Sequence, residues 1–187
     1  AADKSSEAAA FAYPAGPNTA SVLFVSNIHR PLVEGAAYFG CTVSKVSMKE
    51  MAFMTSIIGK AAKRSLGVSK TVSTSKALAF LGWQHPSKAI ASRRLSLFRR
   101  AFTNPNDDLR TLYLNMIEDA PYVQDSEYLN ILDQGVRGAF SDVEWESMEE
   151  SWPKTIDEWK VVAADQTKVN ELVSGTKKGM SLNYQHP

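Results

Sequence analysis

Three histidines, one cysteine and 20 carboxylates are the side chains with which this 187-residue chain could do acid–base, nucleophilic or metal chemistry. His29, His85 and His186 stand in the phrases "HRP", "HP" and "HP", and none has a second His, Cys or carboxylate at ligand spacing. Such settings predict turn residues rather than metal ligands. Cys41 lies in the apolar phrase "AAYFGCTV" and has no second cysteine for an internal disulfide, which suits a reducing compartment. It is expected to be a small buried hydrophobe, not a nucleophile. The phrase "IIGKAAK" has a Gly-Lys step but neither the upstream Gly nor the following Ser or Thr of a phosphate loop. Glu149–Glu150 and Asp157–Glu158 read as a helix surface and a capping box, not as an acid–base pair. No catalytic residue, metal ligand or cofactor is assigned, and the chain is expected not to be an enzyme.

Charge is the stronger signal. The net charge of +1 hides a split: residues 45–110 sum to about +10 and residues 111–171 to about −10. A chain so divided holds partners of opposite charge on its two sides, or folds so that its halves attract each other. Lys60, Lys63, Arg64, Arg93, Arg94, Arg99 and Arg100 form a basic set able to contact phosphates. No apolar run approaches the roughly 20 residues needed to cross a bilayer.

These groups need elements to position them. Residues 1–20 are rich in Ala, Ser, Pro and Gly and begin without Met, as expected after removal of an organelle presequence. An arm of that composition is ordered only when it lies against a partner or its own domain. "SVLFVSNI" (21–28) predicts one strand or an extended docking segment, anchored by Val22, Leu23, Phe24 and Val25. With Arg93, Arg94, Arg99 and Arg100 these are the expected partner-binding residues. From Ser47 the signals are helical. Ser47 with Glu50, Ser141 with Glu144 and Thr155 with Glu158 are capping boxes. Further helices are predicted in 69–82, ending at Gly82, and from Pro86 to about Phe102. Another follows "TNPNDD", with Asn104 as cap and Pro105 at the first helical position. That helix carries Leu109, Leu112, Tyr113, Met116 and Ile117 on one face and stops before Pro121; the next begins near Asp125. Pro153 divides the last two. Trp145, Trp152 and Trp159, seven apart, are read as core anchors. The result is an all-α fold of about seven short helices. It divides into an arm and docking segment (1–44), a helical domain (45–173) and an extended tail (174–187).

An internal repeat is also visible. "RRAFTNPND" (99–107) and "RGAFSDVEW" (from Arg137) share Arg-x-Ala-Phe followed by a hydroxyl residue and Asn or Asp. Tyr128, Ile131, Leu132, Val136, Ala139 and Phe140 align, 38 positions earlier, with Ile90, Arg93, Arg94, Phe98, Ala101 and Phe102. A further 40 positions back stand Glu50, Phe53, Met54, Ile58, Ala61 and Ala62. A period of that length made of helix pairs predicts an α-solenoid of three divergent repeats, and an irregular helical bundle gives the same stripe.

The stretch "LRTLYLNMIEDAPYVQDSEYLNILDQGVRGAF" (109–140) resembles a pentatricopeptide junction, through Met116, Pro121, Asp125, Tyr128, Asn130 and Leu132 in that order. The resemblance implies roughly three helix-turn-helix repeats. In size, helix number and weak repeats the chain also resembles the small pentatricopeptide-like accessory subunits on the alpha subunit of euglenozoan mitochondrial ATP synthase. That resemblance implies a matrix location, attachment to alpha and no part in nucleotide chemistry. "NPNDDLRTLYLNMIED" is similar to a helix start in a small accessory subunit of mitochondrial complex I, which supplies an alternative assembly. A second alternative is a short pentatricopeptide-type RNA-binding protein, against which the acidic last repeat argues.

Overall fold

The computed structural model describes residues 25–118 and 120–182, and every regular element among them is helical. A π-helical turn, Val25–His29, leads into α1 (Arg30–Ala37), α2 (Met48–Leu66) and α3 (Thr74–Phe80). Then come α4 (Pro86–Thr103), α5 (Asp107–Glu118), α6 (Glu127–Arg137), α7 (Asp142–Glu149), α8 (Ile156–Ala164) and α9 (Gln166–Leu182). Nine helices therefore stand among the described residues where about seven were expected. The chain forms two compact units. Among the described residues, unit 1 takes 25–41 and 46–86, and unit 2 takes 42–45, 87–118 and 120–182. The stretch 45–173, expected as one helical domain, contains residues of both units.

Local chemistry explains most helix starts. Ser47, Ser141 and Thr155 each accept a hydrogen bond from the N–H three residues on, and the carboxylates of Glu50, Glu144 and Glu158 accept from the cap residues' own N–H. Two of the donors left orphaned at a helix start are thereby satisfied. The start of α5 differs from expectation. Asn104 Oδ1 accepts from Asn106 N–H at 2.9 Å, making a turn around Pro105, and Asn106 is the cap, accepting from Asp108 N–H at 3.0 Å. The helix begins two residues later than its Pro signal suggested.

Both ends of the described part contain more helix than the sequence indicated. Val22, Leu23 and Phe24 lie outside the described residues; Val25 is buried in a π-helical turn, so the expected strand does not extend into the described part. In α1, Arg30 and Glu34 form an i,i+4 ion pair at 2.8 Å, and Val33 is buried. The tail expected to be extended from residue 174 continues α9 as far as Leu182. Val169, Val173, Thr176 and Met180 are all buried along it. Thr176 breaks the apolar stripe in sequence, yet its hydroxyl is satisfied by Leu172 O at 2.7 Å, and burial holds a helix that contains two glycines.

Unit 2 closes around α4. Its side chains meet every later helix: Phe102 meets Tyr113 of α5, Arg94 meets Ile131 of α6 and Lys88 meets Glu144 of α7. Phe98 meets Trp159 of α8, and Ser96 accepts from Lys177 of α9. In an open solenoid a helix touches only its own and adjacent repeats. The side chains of α4 reach helices beyond the adjacent pair. All three tryptophans of the 145–159 stripe are buried, at 8%, 3% and 0% exposure, as core anchors.

Candidate functional site

Arg94 sits mid-way along α4 and is buried, although its neighbours Arg99 and Arg100 are exposed. Its guanidinium donates from Nη1 to Ile131 O at 2.9 Å and from Nη2 to Ser44 O at 2.7 Å. Gly135 makes this possible. It lies one turn beyond Ile131 on α6, and a Cβ there would collide with Arg94 Nη1. The clamp ties segment 42–45 to α6. Arg94, one of the expected partner-binding and phosphate-contacting residues, thus has its desolvated guanidinium committed to two backbone carbonyls, which is a structural task.

Beside the clamp lies a groove of about 270 Å³. From α4 it takes Arg94 and Leu97, from α5 Leu112, Tyr113 and Met116, and from α6 Glu127, Tyr128, Ile131 and Leu132, with Thr42 and Val43 at one edge. The α5–α6 connection fixes its walls. Ser126 caps α6 by accepting from Leu129 N–H, and the same hydroxyl donates to Met116 O at 3.0 Å, so one side chain joins the two helix ends. Asn130 Nδ2 donates to Gln124 O at 3.1 Å and steadies the turn between them.

The groove is apolar and its rim is open to solvent: Val43, Leu112 and Met116 keep 67%, 55% and 43% of their surface exposed. The Tyr128 hydroxyl is buried with no hydrogen-bond partner among the described residues, and its ring lies 5.2 Å from that of Tyr113. Burial, and then the neighbouring Tyr113, push its ionisation far above the ordinary tyrosine range, so the phenol stays a donor. An apolar trough of this kind suits the apolar face of an amphipathic helix.

Of the remaining expected partner residues, Arg93 is half-buried, and Arg99 and Arg100 are exposed without an ion-pair partner among the described residues. Burial, and then Arg99 and Arg100, hold Lys177 below the ordinary lysine value, while its ammonium donates to Ser96 Oγ at 2.7 Å. A small cationic cluster thus stands at the end of α4.

His29 is not a turn residue. It is fully buried in unit 1, its Nδ1 2.7 Å from Ser65 Oγ and its ring edge-on to Trp83 at 6.0 Å. Burial first, then the charge of Arg64, keep it below the ordinary histidine value. A Ser–His contact is the geometry of an activated nucleophile, but Ser65 is 8% exposed and no carboxylate bonds Nε2, which has no partner among the described residues. Acyl transfer needs an accessible Oγ and an orienting acid. Cys41 is half-buried rather than buried, with Sγ 3.7 Å from Met54 Sδ. His186 lies outside the described residues. Among the described residues no three His, Cys, Asp or Glu side chains are placed to hold a metal. No helix there is long and apolar enough to cross a membrane.

Comparison with known protein families, with curated proteins and with solved structures finds no match for the chain.

The groove was partly legible in the sequence. Leu112, Met116, Tyr128 and Leu132 were visible as helix faces and as part of the pentatricopeptide-like stretch. The Arg94 clamp was not, because nothing in "SRRLS" distinguishes the inward arginine from its neighbour.

Proposed function

We propose that this chain is a non-catalytic structural subunit of a mitochondrial assembly, attached to the catalytic head of ATP synthase through the alpha subunit. The supporting observation is the α5–α6 groove. Met116, Tyr128 and Leu132 belong to the stretch that resembles a pentatricopeptide junction, and all three line it. In this reading the pentatricopeptide likeness is that of one local helix pair, since α4 packs against every later helix. The groove takes an apolar helix of the partner, with Leu112 and Met116 forming the contact. Arg99 and Arg100 add a cationic flank for acidic side chains. A matrix location goes with this assembly.

Native purification from mitochondria tests the reading. ATP synthase subunits are expected in stoichiometric amount with the wild-type chain and are expected to be lost with Leu112→Asp/Met116→Asp. Recovery with complex I, or as a free protein, overturns it.

A further inference from the structure

Between Met51 and Asn106 the sequence contains no Asp or Glu, and four of the cations in that span converge on one cavity of unit 1. The cavity, about 510 Å³, is lined by Lys60, Lys63, Arg64 and Lys70 together with the hydroxyl residues Ser56 and Thr74. The fold builds it deliberately. At Gly59 a Cβ would stand 2.5 Å from Thr74 Cγ2 and 2.8 Å from its Oγ1, so the start of α3 comes against α2 there because the residue is glycine. After α2 the chain reverses, with Gly67 N–H donating to Arg64 O and Val68 N–H to Lys63 O. Lys63 Nζ then reaches across the turn to Lys70 O at 3.1 Å.

Lys60, Lys63 and Arg64 are spaced i, i+3 and i+4, so they share one face of α2 and repel each other. The negative end of the helix dipole accounts for Lys63 and Arg64 in the last turn. It does not account for Lys60, a turn earlier, nor for Lys70 in the loop, which are both exposed. Four cations around a concave surface, with hydroxyl donors beside them and no carboxylate in the lining, are the chemistry that holds a multiply charged oxyanion.

We infer that this cavity is a binding site for a phosphate group carrying two or more negative charges, presented by a soluble phosphate ester or by a lipid headgroup. It belongs to unit 1 and does not depend on the docking groove of unit 2. Lys60 and Lys70 supply charge, Ser56 and Thr74 supply hydroxyl donors, and Lys63 both charges the site and holds its loop.

Calorimetric titration of the full chain with inorganic pyrophosphate at low ionic strength tests this. Saturable binding is expected. Lys60→Gln/Lys70→Gln should weaken it about tenfold with unchanged circular dichroism, and Lys178→Gln should leave it as in the wild type. Lys63 is left intact so that the loop keeps its tether. Flotation with phosphatidic acid vesicles, against phosphatidylcholine alone, separates the sources. Pyrophosphate binding without flotation assigns a soluble ester, and flotation lost in the double variant assigns a headgroup. No pyrophosphate binding, or binding indifferent to the double variant, overturns the inference. So does capture of a single-stranded oligoribonucleotide without any pyrophosphate binding.

Discussion

Unit 2 fills its interior with a chain of aromatic rings, whereas unit 1 sets Ala61, Ala62, Ala77, Ile57 and Ile58 around Trp83 and Tyr38 and a polar His29–Ser65 pair. In unit 2 the rings of Phe140, Trp145, Trp152, Trp159, Phe98, Phe102, Tyr113 and Tyr128 follow one another at centroid separations of 4.8–6.1 Å. Large rings tie helices distant in sequence to α4, and that produces a closed core with a groove at its edge. Small side chains let two helices approach closely, as at Gly59 and Thr74, and leave the chemistry of the surface to long cations. The first arrangement is sensitive to volume, the second to charge.

The largest way to break the contrast is to remove a ring. Trp159→Ala is expected to destabilise unit 2 by ~3–5 kcal/mol, since a fully buried indole leaves a cavity its neighbours cannot fill. Hydrogen exchange resolved by peptide should show α4 and α8 losing protection while α2 keeps its own. Equal loss in α2 would show that the two units do not differ in this way. Next comes the clamp. Gly135→Ala forces Arg94 away from Ile131 O and is expected to cost ~1–3 kcal/mol in urea denaturation, with no such loss for the exposed Gly138→Ala.

Acid sharpens the contrast from the other side. His29 is held below the ordinary value of 6.5, so the unfolded chain binds its proton first as pH falls. The stability it contributes is present above pH 6.5 and is lost as pH drops through that value towards the lowered folded value. Between pH 7.5 and 5.5 protection of α2 should fall by at most about 1.4 kcal/mol per pH unit, with α8 unaffected. His29→Asn should flatten the slope; a slope retained in that variant assigns it elsewhere. The smallest effect on stability belongs to the groove rim. Leu112→Asp and Met116→Asp are expected to change the unfolding free energy by less than about 0.5 kcal/mol, because both side chains are half or nearly half exposed. Their effect should appear in partner recovery instead. A large loss of stability would reassign these residues to the core.

How much of this was readable in advance depended on range. The three capping boxes at Ser47, Ser141 and Thr155 are contained within four residues each, and they begin helices as their pattern says. The Asn104 signal was local too, but Asn106 offered the same side chain two residues on and won the cap. The α9 extension and the inward turn of Arg94 were not readable, because each is decided by a neighbour far along the chain. Lys177 of α9 meets Ser96, and Arg94 finds carbonyls of Ser44 and Ile131.

By itself, then, the sequence determined the helical class, most of the helix starts, the tryptophan anchors and the charge division, since these follow from neighbours within a turn or two or from composition. Tertiary structure alone decided that the chain forms two units, that α4 reaches every later helix of unit 2 and that one arginine of an adjacent pair is buried. It also decided that four cations meet on one cavity. The physical reason is shared: burial and charge convergence depend on which distant surfaces meet, and a side chain's type states what it can bond to but not what comes within reach.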